Sequence, residues 1–309
     1  MPLPVLVVGP LAYDDVETPA GRRSGVLGGS AGYGSAAAAK YVPTGLVSVA
    51  GRDLDTGDLR RLEQAGVDVR GMELRDGRTL RWAGTYAHGF SRSDVRNTDL
   101  GVVAAWRPRI PGAFEDAERV FLANTDPRAQ LEALDQLRAA VVVLDTMPHW
   151  IRGDPAALDR IVARATILSV NAEELALISD TEKTIDGAAM VLARGPRAVI
   201  VKRGVLGAKL FTPEGTIVVP AHPATVVDPT GAGDAFAGAF LGRLAELRDD
   251  GEAALRDAFT HGAAAASITV ESFGLDAIIS ARRPELDRRA AWLDARAGTG
   301  QGGSLYEGR

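Results

Sequence analysis

The 309-residue chain contains no cysteine. Disulfides, cysteine-ligated zinc, iron–sulfur clusters and thiol catalysis are excluded together, and the cytosol is the expected setting. Long apolar runs are also missing, and none approaches the roughly 18 residues a membrane-spanning helix requires. The opening Met1-Pro-Leu-Pro-Val-Leu-Val-Val8 lacks the basic region and longer apolar core of a signal peptide and reads as a buried first strand. Lysine is scarce: Lys40, Lys183, Lys202 and Lys209 are four of 35 basic residues, and the other 31 are arginine. The arginines are scattered, which points to coding bias rather than to a phosphate-binding surface. A net charge of −5 and a pI near 5.5 leave no basic face of the kind nucleic acid selects.

What remains is 46% hydrophobic and 24% charged, ordinary for a soluble globular protein with a substantial core. Apolar runs without polar alternation at Val5–Val8, Leu46–Val49, Val120–Leu122, Val141–Leu144, Thr166–Val170 and Ala198–Val201 read as strands covered on both faces. Helical patterns lie between and after them, at Ala31–Tyr41, Thr56–Ala65, Pro127–Leu137, Pro155–Ala163, Ala172–Ile178, Asp186–Ala193, Ala232–Leu247, Ala253–Val270 and Pro284–Ala297. Strand–helix–strand repetition implies an α/β core with three α/β/α layers around a mainly parallel sheet. Two insertions, about 14–27 and 79–106, break the rhythm. The second alternates apolar and polar residues through Leu80, Trp82, Gly84 and Tyr86, and again near Val102–Trp106, so both are expected to form a small half-exposed sheet, as a lid, a dimer surface or both. One domain over 1–297 and a flexible tail over 298–309 complete the expectation.

The strongest chemical signal is Val226-Val-Asp-Pro-Thr-Gly-Ala-Gly-Asp-Ala-Phe-Ala-Gly238, between an extended run and a helix. Gly231, Ala232 and Gly233 allow a tight turn whose N–H groups converge at the positive end of the helix, an anion site. Asp234 follows in the first helical turn, where a carboxylate stays ionised. A base beside an anion hole suits phosphoryl transfer to a hydroxyl.

Asp228-Pro-Thr-Gly-Ala-Gly-Asp-Ala-Phe236 resembles the C-terminal signature of the PfkB carbohydrate kinases, whose fold is ribokinase-like, and the resemblance extends over about residues 3–285. It implies ATP as phosphoryl donor, Mg2+, and a sugar, polyol or nucleoside as acceptor, with Asp234 as general base and the Gly231–Gly233 amides as anion hole. Val8-Gly-Pro-Leu-Ala-Tyr-Asp14 is similar to the family's first strand and assigns acceptor hydroxyls to Asp14, with Asp15 as the alternative. Leu27-Gly28-Gly29-Ser30 resembles the N-terminal Gly-Gly signature. There the glycines admit close approach of backbone to ligand, and Ser30 is expected to cap the next helix. Many sugar and nucleoside kinases of the family carry Asn where this chain has Tyr33, a departure that leaves the acceptor open.

Asn171-Ala-Glu-Glu174 resembles the family's Asn-x-x-Glu motif and implies Glu174 at Mg2+ and Asn171 near the ATP phosphates. Lys202-Arg-Gly204-Val-Leu-Gly207 matches the turn beside the nucleotide, with Lys202 reaching phosphate and Thr230 joining the same site. The run from His261 to Ser267 resembles the helix that walls the adenine, with His261 read as a packed core residue. Asn124 and Asp145, each closing an apolar strand, are candidates for acceptor and for acceptor or metal respectively. Trp82, Tyr86 and Trp106 stack on the acceptor or pack within the lid. The resemblance also implies a monovalent cation such as K+ near Asp228, and a homodimer through the lid is expected. A sugar or polyol kinase is the first reading, a nucleoside kinase the second, and a non-catalytic nucleotide- or sugar-binding sensor the reading from another class.

Overall fold

Val5 and Val7 pack into one hydrophobic cluster and Leu6 and Val8 into another, because successive side chains of a strand point to opposite faces. The computed structural model, which describes residues 2–86 and 93–299, repeats this two-sided burial through the central strands of a ten-stranded sheet. Its parallel part contains β1 (Val5–Val8), β4 (Thr44–Gly51), β5 (Val67–Arg75), β8 (Arg119–Leu122), β9 (Val141–Leu144), β10 (Ile167–Asn171) and β11 (Ala198–Lys202). These lie in the order β11-β10-β9-β8-β1-β4-β5. Beyond β11 the antiparallel strands β12 (Ala208–Thr212), β13 (Gly215–Val219) and β14 (Gly298–Thr299) extend the sheet. Gly298 and Thr299 thus begin the predicted tail as a strand, and 300–309 lie outside the described residues.

One face is covered by α1 (Ser30–Ala38), α2 (Thr56–Gln64), α8 (Ala232–Leu247), α9 (Glu252–Thr269), α10 (Asp276–Ser280) and α11 (Arg283–Asp294). The other carries α3 (Pro127–Leu134), α4 (Pro148–Gly153), α5 (Pro155–Val162), α6 (Ala172–Ser179) and α7 (Thr184–Leu192). The helix starts follow local chemistry. Asp126 and Asp154 accept from the N–H groups of Arg128 and Ala157, each just before a proline at the first helical position. Helix α1 is built of Ala, Gly and Ser around Tyr33 and is buried on every side. It crosses α8 so closely that a Cβ on Gly238 would collide with the backbone of Gly34.

The two insertions form a second sheet of β2 (Ala12–Thr18), β3 (Gly21–Gly28), β6 (Leu80–Tyr86) and β7 (Ser93–Asp99), ordered β3-β2-β6-β7. Residues 87–92 of the second insertion lie outside the described residues. The extended reading of Val102–Trp106 is corrected. Gly101–Ala105 is a short 3-10 helix, turned by Gly101 at φ +50° and closed by Val103 N–H to Leu100 and Trp106 N–H to Val103. Trp106, 1% exposed, packs in the core with Leu6 and Val8 rather than facing an acceptor. The small sheet reaches the core where the Thr18 hydroxyl donates to the Val227 carbonyl at 2.7 Å and Thr230 Oγ1 donates to the Tyr86 oxygen at 3.2 Å.

Candidate active site

In a parallel sheet the C-terminal ends of the strands open on a common edge, and the helix that follows each strand starts there. Asn124 and Asp145 follow β8 and β9, while Asn171 and Lys202 end β10 and β11 and stand opposite one another in register. Facing them is the N-terminus of α8, where Gly231 adopts φ +75°, ψ −3° and lets the chain turn directly into Ala232, Gly233 and Asp234. Asn124, Asp145, Asn171, Glu174, Lys202, Ala232, Gly233 and Asp234 line one cavity of about 670 Å3. Gly204 and Gly207 border it too, and Gly207, at φ +83°, lies against the Val219–Ala221 backbone.

The charges in this cavity are unbalanced. Lys202 Nζ lies 2.7 Å from Asp145 Oδ2, and Asp145 Oδ1 accepts from the Thr146 N–H at 2.7 Å. Burial works against the Lys202 charge, but Asp145, Glu174 and Asp234 together hold its pKa above the ordinary value. One lysine serves three carboxylates. Burial, then Asp145, push Glu174 up to about 8 and Asp234 up to about 7 against the opposing pull of Lys202. Because these groups interact, the protons leave in separate steps whose apparent pKa values belong to the cluster and not to one residue. Asn171 and Glu174 form a reciprocal cap: the Asn171 side chain accepts from the Glu174 N–H at 2.9 Å, and Glu174 Oε2 accepts from the Asn171 N–H at 2.8 Å.

Among the described residues no cluster of three or more His, Asp or Glu is arranged to hold an ion by itself. The donor set suits Mg2+ all the same. Mg2+ takes one or two carboxylates and fills its remaining positions with water and phosphate oxygen, and the excess negative charge around Glu174 and Asp145 favours a hard cation.

Asp14, Gly28, Gly29 and Ser30 gather at the junction of β2, β3 and α1, and none of them is among the residues that line that cavity. Asp14 is 3% exposed, its carboxylate packs on Gly28, and burial, then Asp228 and Asp234, push it up to about 8 despite the Gly29 N–H. Asp15, one residue on and therefore on the other side of the strand, accepts from the Gly25 N–H at 2.7 Å. Gly29 has φ +82°, and a Cβ there would sit 2.6 Å from Pro10 O and Ala12 N, so only glycine fits. The expectation that Ser30 caps α1 is corrected. Gly29 is the capping residue, and Ser30, already inside the helix, directs its hydroxyl to the Asn124 carbonyl at 3.2 Å. Thr230 N–H and Thr230 Oγ1 are both engaged, with Asp228 Oδ1 and with Tyr86. Asp228 Oδ2 is buried without a hydrogen-bond partner.

His261 is buried, bonds Tyr41 through Nδ1 at 3.1 Å and is pushed down to about 4, first by burial. It is a core residue, while Ala263, Ala266 and Ser267 of the same helix line the cavity. Thr146, Met147 and the segment 220–224 also line it. None of these carried a sequence signal, because loops with no chemical pattern supply them.

A family model described as pfkB family carbohydrate kinase matches residues 13–282. The chain belongs to the PfkB family. It is a phosphotransferase of the sugar and nucleoside kinases that make up this family. The cytidine kinase of Thermococcus kodakarensis is 30% identical over 250 residues, covering 77% of this chain and 87% of that protein. An ATP-dependent ribose-1-phosphate kinase of Halopiger xanaduensis is 32% identical over 225 residues, covering 71% and 73%. An E. coli structure of the ribokinase II type, in complex with ATP and Mg2+, superposes with a TM-score of 0.76 at 21% identity, covering 93% of this chain and 99% of that one. ATP and Mg2+ are typical of such PfkB kinases. Among the described residues no helix is long and apolar enough to cross a membrane.

The buried Asp14 carboxyl makes a testable demand on this PfkB chain. Its folded pKa, about 8, lies above the unfolded value of 3.8, so the native state binds the extra proton and stability falls as pH rises between them. The thermal midpoint of Asp14→Asn relative to the parent is therefore expected to improve from pH 5 to pH 8, by roughly a few degrees. Calorimetric scans at both values check this, and an advantage that shrinks with pH contradicts it.

Proposed function

We propose that the protein transfers the γ-phosphoryl group of ATP to a hydroxyl of a ribosyl compound. The observation that carries this reading is the placement of Asp234 beside the Gly231–Gly233 turn at the N-terminus of α8, facing Lys202 across one cavity. The acceptor hydroxyl gives its proton to Asp234 as its oxygen attacks the γ-phosphorus, and the bond to the bridging oxygen breaks to leave ADP. The amides of Gly231, Ala232 and Gly233 and the positive end of α8 hold the charge on the transferring group. A carboxyl raised to about 7 is a stronger base than an exposed aspartate and is about half ionised at neutral pH.

Lys202 holds phosphate oxygens, Asn171, Gly204 and Gly207 line the nucleotide's side of the cavity, and Thr230 stands next to the lining residue Pro229. Glu174 holds Mg2+, with Asp145 beside it, and the ion supplies charge neutralisation on the phosphates when bound. Asn124 lines the acceptor end, backed by the group of Asp14, Gly28, Gly29 and Ser30. A monovalent cation such as K+ fits near Asp228, whose Oδ2 lacks a partner.

Cytidine and ribose-1-phosphate, the substrates in two relatives' names, share a ribosyl ring, which favours a ribosyl acceptor over a hexose or an inositol-like polyol. ADP release from Mg·ATP is to be measured with cytidine, ribose-1-phosphate, D-ribose, D-fructose and myo-inositol. A ribosyl compound is expected to give the highest kcat/KM. A hexose or inositol in first place overturns the acceptor assignment, and ATP binding with silence across the panel favours a sensor.

A further inference from the structure

The charge around the cavity bears on which ribosyl compound it takes. Asp145, Glu174 and Asp234 are its acidic lining residues, and among the described residues Lys202 and His222 are its basic ones. Lys202 is committed to Asp145 at 2.7 Å, and its Nζ would stand 3.0 Å from a Cβ on Gly233, which places the ammonium beside the anion turn. His222 packs against the Trp292 ring with ring centres 4.9 Å apart, and burial, then Arg289, hold its pKa below the ordinary value. The imidazole is therefore uncharged at neutral pH. Further carboxylates stand near Asp234. Asp14 is buried close enough to Asp228 and Asp234 for both to raise its pKa, and Thr230 links Asp228 to the lining residue Tyr86. Asp14 and Asp228 accept from the N–H groups of Gly29 and Thr230 rather than from a cation. On the small sheet Arg81 is held by Asp53 and lies over the Tyr13 ring, Arg96 is paired with Glu17, and neither arginine lines the cavity.

We propose that the acceptor is an unphosphorylated ribosyl compound, and that the carboxylates of this cavity reject a ribosyl compound already carrying phosphate. The inference rests on the kinase reading given above and narrows its acceptor. A phosphate monoester brings nearly two negative charges and is recognised by arginine or lysine. The lining offers one such cation, Lys202, and in the mechanism above it holds the phosphates of ATP. A second phosphate would meet Asp234, with Asp14 and Asp228 close by, and would share the cavity with the phosphates of the donor. Like charges brought together without a counter-charge are strongly disfavoured. The base would suffer as well. A dianion beside Asp234 pushes its pKa further above 7 and leaves it protonated, so it could not take the acceptor's proton. Neutral hydroxyl groups have the opposite relation to these surroundings, because they donate to carboxylates.

The wild-type protein with Mg·ATP tests this directly. The better of cytidine and D-ribose is expected to exceed ribose-1-phosphate in kcat/KM by about a hundredfold or more, as for like charges brought together. Ribose-1-phosphate is also to be added as an inhibitor of that neutral acceptor's phosphorylation, which reads its binding separately from its turnover. Its inhibition constant is expected to lie about a hundredfold or more above the KM of the neutral acceptor. A kcat/KM for ribose-1-phosphate in first place or within about tenfold of the neutral acceptor overturns the inference and leaves the kinase reading standing. An inhibition constant near the neutral acceptor's KM does the same, because the cavity then admits the phosphate. D-fructose or myo-inositol in first place overturns the ribosyl assignment on which the inference builds. Protein that phosphorylates none of the five compounds overturns the kinase reading and this inference with it.

Discussion

Asp234→Asn is expected to lower kcat by about a thousandfold while the KM for Mg·ATP changes little. Asparagine keeps the shape of the side chain and cannot accept a proton, so the loss measures general-base catalysis, for which factors of roughly 10² to 10⁴ are typical. In the proposed mechanism ATP is held instead by the α8 amides and Lys202, which the substitution leaves in place. The pH profile provides a second reading. Asp234 must be ionised to act, and its pKa is raised to about 7, so kcat/KM for the parent is expected to fall as pH drops below that range. Because Asp145, Glu174 and Asp234 interact, the apparent pKa belongs to the cluster. Steady-state ADP release across pH 5–9 measures both quantities. A variant whose kcat stays within tenfold of the parent contradicts the assignment.

Gly238→Ala is expected to be the most damaging single methyl addition to the fold. The new Cβ would meet the carbonyl of Gly34 and lie 2.7 Å from its Cα. Both contacts are main chain within a helix, so no side chain can rotate away, and α1 and α8 must separate. Overpacking of a close-packed core costs about 1–3 kcal/mol and occasionally more, and a rigid backbone contact belongs at the upper end. A drop in thermal midpoint of roughly 6–10 °C follows for a chain of this size. The same shift moves Gly231–Asp234 at the start of α8 relative to Gly28–Gly29 at the start of α1, so residual folded protein is expected to lose activity as well. Thermal melts and activity at 25 °C check both parts, and a midpoint within about 2 °C of the parent contradicts the close crossing.

The parts of this fold that were legible in the sequence share a physical cause. Strands buried on both faces, such as β1, β9 and β11, tolerate no polar residue and so announce themselves as apolar runs. Edge strand β5 is half-buried along most of its length, and the β12–β13 hairpin carries Lys209 and Thr216 among its apolar residues, so neither stood out. Val102–Trp106 looked extended as the end of an alternating stretch, yet Gly101 in a left-handed conformation turned the chain into a 3-10 helix.

At the candidate site, residues within one continuous stretch were readable: the turn 231–234 and the Asn171–Glu174 pair each carry their geometry locally. The Lys202–Asp145 ion pair joins positions 57 apart in sequence, and the Ser30 hydroxyl reaches Asn124 across 94, so neither contact could be read from spacing. Ser30 illustrates the difference well. A serine after Gly-Gly reads as a helix cap, but Gly29, free to adopt φ +82°, takes the capping place and moves Ser30 into the first turn.

The most direct test of this account is mass spectrometry of the acceptor after incubation with Mg·ATP and purified protein, using wild type and Asp234→Asn side by side. The account predicts a singly phosphorylated ribosyl product with wild type and only traces with the variant. A phosphorylated product in equal yield from both proteins contradicts the account at its centre.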